Sequence, residues 1–124
     1  MNDRFQVLFV EDDTDIRAVA QLALEDEGFK LTLCSSGQEA VDKAISLTVD
    51  LILLDVMMPD LDGPSTLLKL REFPHLANTP TIFMTAKVQH SEVKKYYAMG
   101  AVGVIAKPFD PMTLANEIRE KLIG

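Results

Sequence analysis

No tryptophan occurs in the 124 residues, and only one cysteine, Cys34. A single cysteine excludes an internal disulfide, and the plain reading of it is a buried strand thiol. The two histidines, His75 and His90, stand far apart and are expected at the surface, so no nitrogen- or sulfur-based metal site is suggested. No apolar run approaches the ~20 residues that cross a bilayer. The opening MNDRFQVLFVEDD has a short apolar run that ends in acids, with no small-residue cleavage site, and is not a signal peptide. Positive charge is scarce too: 12 lysines and arginines face 19 acids, for a net charge of −7. That balance argues against unaided binding to nucleic acid or to an anionic membrane. The cytoplasm follows as the default compartment.

What is present suits one domain. The chain has 48% hydrophobic and 25% charged residues and enough length for a single core, so residues 1–124 are taken as one unit. Apolar runs at Val7–Val10, Leu31–Cys34, Leu51–Leu54, Thr81–Met84 and Val102–Ala106 read as strands. Between them lie helical patterns. Ile16, Val19, Ala20, Ala23 and Leu24 recur at helical spacing before the stop at Gly28. Ser36 and Glu39 form an S-x-x-E capping box ahead of the stripe Ala40, Val41, Ala44 and Ile45. Leu67, Leu68 and Leu70 follow Gly63-Pro64, and residues Ser91 to Met99 carry a weaker pattern. Asp110-Pro111 reads as a cap with proline at the first helical position, before Leu114, Ile118 and Leu122. Strand and helix thus alternate five times. Strands this apolar need helices on both faces, which predicts a doubly wound α/β fold with five parallel strands in the flavodoxin-like order 2-1-3-4-5.

Ligands of such a sheet bind outside the carboxyl ends of its strands. The first run ends in Glu11 and Asp12, the third in Asp55, the fourth in Thr85 and the fifth in Lys107. These would converge on one mouth. Three carboxylates about 4 Å apart repel by about 4 kcal/mol per pair at an effective dielectric near 20. They must spread, titrate upward or share a cation, and Lys107 offsets only one charge. Oxygen donors alone select a hard ion, and an open carboxylate site suits Mg²⁺. An ion, a lysine and a hydroxyl around one carboxylate describe phosphoryl transfer, with Asp55 as nucleophile and an aspartyl phosphate as product. Asp13 reads as a helix cap, Asp60 and Asp62 as turn residues, and Met57, Met58, Met84 and Met99 as packing. One of Tyr96 and Tyr97 is expected to be buried.

With those residues in view, the chain resembles the receiver domain of two-component response regulators. The matching stretches are VEDD at Glu11-Asp12, LLDVMMPDLDG around Asp55, MTA at Thr85-Ala86, and KPF at Lys107-Pro108-Phe109. The resemblance runs from Phe5 to Ile123. It implies that Asp55 takes a phosphoryl group from a partner's phosphohistidine, the partner being a sensor histidine kinase or a phosphotransfer protein. It implies Mg²⁺ bound by Asp12, Asp55 and the Met57 carbonyl, with Glu11 acting through water. Thr85 and Lys107 would hold phosphoryl oxygens, helped by the amides near Met57 and Ala86, and the Lys107-Pro108 bond would be cis. Switching would move Thr85 and repack the face of the fourth helix, fifth strand and fifth helix.

Two features depart from the family. Val104 stands where an aromatic ring often rotates on phosphorylation. Val102 and Gly103 stand where regulators that dimerise for winged-helix DNA binding usually carry acids, which argues against that output. The expected protein is a phosphorylation-switched module, not a turnover enzyme. It would act on an unknown downstream protein, with no direct nucleic-acid or membrane partner, as a monomer or a weak phosphorylation-dependent dimer. The start at Met1 and the end at Ile123-Gly124 favour a stand-alone protein, the alternative being a receiver excised from a larger regulator or kinase. A Mg²⁺-dependent phosphohydrolase with an aspartyl nucleophile is disfavoured because Met57 stands where its second Asp belongs. A flavin or nucleotide carrier is dropped, because the turn EDDTD is acidic and lacks a glycine cradle.

Overall fold

The computed structural model describes residues 4–123; Met1 and Gly124, on which the stand-alone expectation leaned, lie outside them. Five strands, β1 (Phe5–Val10), β2 (Phe29–Cys34), β3 (Leu51–Asp55), β4 (Thr81–Thr85) and β5 (Ala101–Ala106), form one parallel sheet in the order β2-β1-β3-β4-β5. The expected topology is the observed one. Helices α1 (Thr14–Glu25), α2 (Gly37–Ala44), α3 (Gly63–Leu70), α4 (His90–Ala98) and α5 (Leu114–Ile123) connect and flank the strands.

Strand alternation sorts the core into two layers. Leu8, Val10, Ile52, Leu54 and Phe83 face one side with Ala40, Leu67 and Tyr96. Val7, Phe9, Leu51, Leu53, Ile82 and Met84 face the other with Ala20, Leu24, Leu114 and Ile118. β3 and β4 are buried along their whole length, as central strands covered on both faces must be.

Several local expectations shift. Val19, Ile45 and Leu68, counted in apolar stripes, are exposed; Ile45 already lies past the end of α2. Ser36 caps α2 by accepting from Glu39 N, but Glu39 reaches past the cap residue to the amide and hydroxyl of Ser35. Helix α5 starts at Leu114, not Pro111: Asp110 accepts from Met112 N in a preceding turn. Helix α4 begins one residue early, and Tyr96 is its one buried residue while Tyr97 is exposed. Asp13 caps α1, accepting from Ile16 N, and Cys34 is buried at the end of β2. A short 3-10 turn at Pro74–Leu76 had no sequence signal. His75 and His90 are exposed as expected, although a His75 ring nitrogen lies 2.6 Å from the Ala44 carbonyl.

Candidate functional site

Four strand ends supply the mouth of the sheet. β1 delivers Glu11, whose amide still pairs with Cys34 O before the chain turns into α1. β3 ends in Asp55, and Val56 N bonds Met84 O, so the carboxylate is fixed by the central ladder. The loop from Val56 to Asp62 then folds back tightly. Leu61 N bonds Pro59 O at 2.8 Å around Asp60, which takes φ 68°, a conformation Asp tolerates better than most residues. Asp62 caps α3 by accepting from Ser65 N. Gly63 N bonds Val56 O, and a Cβ at Gly63 would collide with the Asp55 carbonyl and lie 2.9 Å from Val56 Cα. Only glycine lets α3 approach the strand end this closely.

The acids converge as their positions predicted. Glu11, Asp12 and Asp55 each offer a carboxylate oxygen within 4.8 Å of the others. Glu11 and Asp55 are buried, whereas Asp12 is exposed. Lys107 reaches across from the end of β5 and donates to Glu11 Oε1 at 2.9 Å and to Asp55 Oδ1 at 3.2 Å. The other oxygen of Glu11 accepts from Asp13 N, so both Glu11 oxygens are taken. Asp55 Oδ2 differs: it is buried without a hydrogen-bond partner. A buried carboxylate oxygen left bare is costly, and a cation is the plainest remedy. Three oxygen donors with no nitrogen or sulfur fit a hard divalent ion.

Electrostatics tell the same story. Burial, then the charge of Glu11, pushes the Asp55 carboxyl up to about 7 against the pull of Lys107. For Lys107 burial opposes the charge, but hydrogen bonds and charges from Glu11 and Asp55 outweigh it and hold the ammonium above the ordinary lysine range. One lysine is thus shared by two acids, and it leaves the cluster short of positive charge.

The remaining candidates are placed less directly. Thr85 is buried at the end of β4, but its hydroxyl is engaged with its own loop, accepting from Lys87 N at 3.1 Å and lying 3.3 Å from Lys87 O. Met57 is exposed and lines a cavity of about 480 Å³ with Val56, Met58, Pro59 and Asp62. Ala86 is exposed beside a second, apolar cavity of about 400 Å³ lined also by Ile16, Val19, Lys107, Pro108 and Phe109. Val104 is half-buried on β5, in register with Phe83. The Lys107-Pro108 bond is cis. Sequence reading missed Arg17, whose guanidinium donates to the Glu11 carbonyl at 2.6 Å. Its place in the first turns of α1, six residues past Glu11, was the available signal.

Comparison with known proteins agrees with this geometry. The sequence model of the family described as "Response regulator receiver domain" matches residues 7–119. The chemotaxis protein CheY4 of Vibrio cholerae superposes with a TM-score of 0.89 at 30% identity, covering 94% of this chain and 98% of that one. The receiver domain of the hybrid histidine kinase CckA gives a TM-score of 0.75 at 33% identity, over 94% of this chain and 98% of that one. In sequence, the probable transcriptional regulator ycf29 of Porphyra purpurea is 39% identical over 93% of this chain and 55% of its own length. The transcriptional regulatory protein CseB of Streptomyces coelicolor is 38% identical over 98% and 51%. The chain spans about half the length of these curated relatives.

Proposed function

The chain belongs to the receiver domains of two-component response regulators, and from that premise we propose that Asp55 accepts a phosphoryl group from the phosphohistidine of a sensor histidine kinase or a phosphotransfer protein. The observation that carries this reading is Asp55 itself: Lys107 holds one oxygen, and the other is buried and unpaired at the focus of three acids. Transfer forms an O–P bond at Asp55 and breaks the N–P bond of the donor. The imidazole nitrogen keeps the electron pair and is protonated by solvent.

Mg²⁺, held by Asp12, Asp55 and the Met57 carbonyl with Glu11 acting through water, would neutralise charge on the phosphoryl oxygens when bound. The protein's own groups do the rest. Lys107 turns from the carboxylates to a phosphoryl oxygen. Thr85 leaves its bonds to Lys87 and donates to another, and the amides of Met57 and Ala86 complete the cradle. Val104 has no ring to rotate, so the change at Thr85 passes on through backbone movement of the β4–α4 loop. The chain assists its own phosphorylation and dephosphorylation and turns over no separate substrate.

A second reading concerns output. Relatives about twice as long bear the names of transcriptional regulators, which favours this stretch as the receiver of a longer regulator of transcription. Contact with DNA would then fall to the rest of that protein, because this stretch carries a net charge of −7. Incubation with acetyl phosphate and Mg²⁺ tests the chemistry. Wild type is expected to gain one base- and hydroxylamine-labile phosphate, and Asp55→Asn none. Labelling that survives Asp55→Asn refutes the assignment.

A further inference from the structure

We propose that Arg17 is a positioning residue for the metal acids, fixing the peptide that carries Asp12. This rests on the Mg²⁺ reading above and adds a residue to it. The peptide between Glu11 and Asp12 lies just beyond the last ladder bond of β1, where Glu11 N pairs with Cys34 O. Its carbonyl therefore has no strand partner. Arg17 supplies one: Nη1 donates to Glu11 O at 2.6 Å while Nη2 lies 3.2 Å from Thr14 Oγ1. The arginine is itself anchored, its amide bonding Asp13 O in the first turn of α1.

Asp12 is where such a grip matters. Glu11 is held at both oxygens by Lys107 and Asp13 N, and Asp55 sits on the central strand. The Asp12 side chain is exposed, and among the described residues no hydrogen bond or ion pair holds it. Its direction is set by its backbone alone, and Arg17 sets that backbone. Groups that orient a ligand from behind commonly change metal affinity 10- to 100-fold when removed.

Charge and positioning predict opposite signs here. A guanidinium near a cation site repels the cation, so if Arg17 acted only as a charge its removal would tighten Mg²⁺ binding. Isothermal titration of Mg²⁺ into the full chain distinguishes them. Arg17→Met, which keeps the stem, is expected to weaken binding about tenfold, with amide spectra away from the β1–α1 loop unchanged. Binding as tight as wild type, or tighter, overturns the proposal. Arg17→Lys keeps the charge but not the two-pronged hold, and is expected to resemble Arg17→Met; wild-type affinity in it overturns the role of the fork. Thr14→Val, which spares the carbonyl bond, serves as a milder check and should weaken binding less than Arg17→Met; an equal or larger loss counts against the carbonyl as the point of action. Titration of Asp55→Asn separates the parent reading, because binding as strong as in wild type would place Mg²⁺ elsewhere and fail that reading first.

Discussion

At the scale of residues, burial acts in the same direction on a carboxyl and on a thiol, favouring the protonated form of each. Asp55 holds its proton up to about 7, burial first and the Glu11 charge second, against 3.8 for an unperturbed carboxyl. The folded state therefore binds more protons than the unfolded chain between about pH 4 and pH 7. Without metal, this group's contribution is most favourable below pH 4, and stability falls as pH rises through the folded value. Asp55→Asn removes that slope. In EDTA the variant is expected to be more stable than wild type, by on the order of 3 kcal/mol at pH 8 and much less at pH 5. Urea midpoints at the two pH values measure it, and an equal gap at both would contradict the shared, undercompensated charge. Cys34 is simpler. Burial pushes its thiol up to about 11, so the thiolate fraction at pH 8 should lie about 100-fold below that of a free cysteine. Aromatic disulfide reagents are expected to modify the folded chain at least that much more slowly than the chain in urea. Equal rates would place Cys34 at the surface.

At the scale of elements, the strands were legible and the helix faces only partly so. A strand buried on both faces shows as a run of apolar residues, and Leu51–Leu54 or Ile82–Met84 announces that directly. A helix face depends on which side the sheet takes, and Val19, Ile45 and Leu68 fall outside it despite their spacing. The faint pattern of α4 has a physical cause: Tyr96, ring centre 4.8 Å from that of Phe83, is the one buried side chain that fastens it. The irregular register between β4 and β5 near Ala101 and Gly103 was not legible, because register belongs to two strands at once. Gly63 is the element-scale residue that shapes the site. Its missing Cβ lets α3 start against the carbonyl of Asp55, and the atoms a Cβ would meet are backbone that cannot rotate away. Gly63→Ala is expected to cost about 3 kcal/mol by urea denaturation with an unchanged m-value. A loss below about 1 kcal/mol would show that the β3–α3 loop can yield.

At the scale of the whole molecule, the sheet gathers acids that are distant in sequence onto the edge formed by the carboxyl ends of its strands, and the fold bears their repulsion. Which residues meet was readable because a parallel sheet sends its strand ends to one side. How they meet was not. The two hydrogen bonds of Lys107, the engagement of the Thr85 hydroxyl with Lys87 in its own loop, and the hold of Arg17 on Glu11 depend on rotamers that only the packed structure selects. The resulting edge should couple global stability to a divalent ion. A ligand that binds only the folded state adds RT ln(1 + [L]/Kd), about 1.4 kcal/mol at ten times Kd. For a domain of this size that corresponds to a rise of roughly 5 °C in Tm. Wild type is expected to show that rise with MgCl₂ at constant ionic strength. Asp12→Ala, which removes the exposed acid of the three, should lose most of it while keeping a metal-free Tm close to wild type. Because the site also carries charge that Mg²⁺ relieves, the rise should be larger at pH 8 than at pH 5, where the Asp55 proton competes with the ion. Equal shifts in wild type and Asp12→Ala would move the ion away from this edge. Equal shifts at both pH values would break the link between the Asp55 carboxylate and the metal.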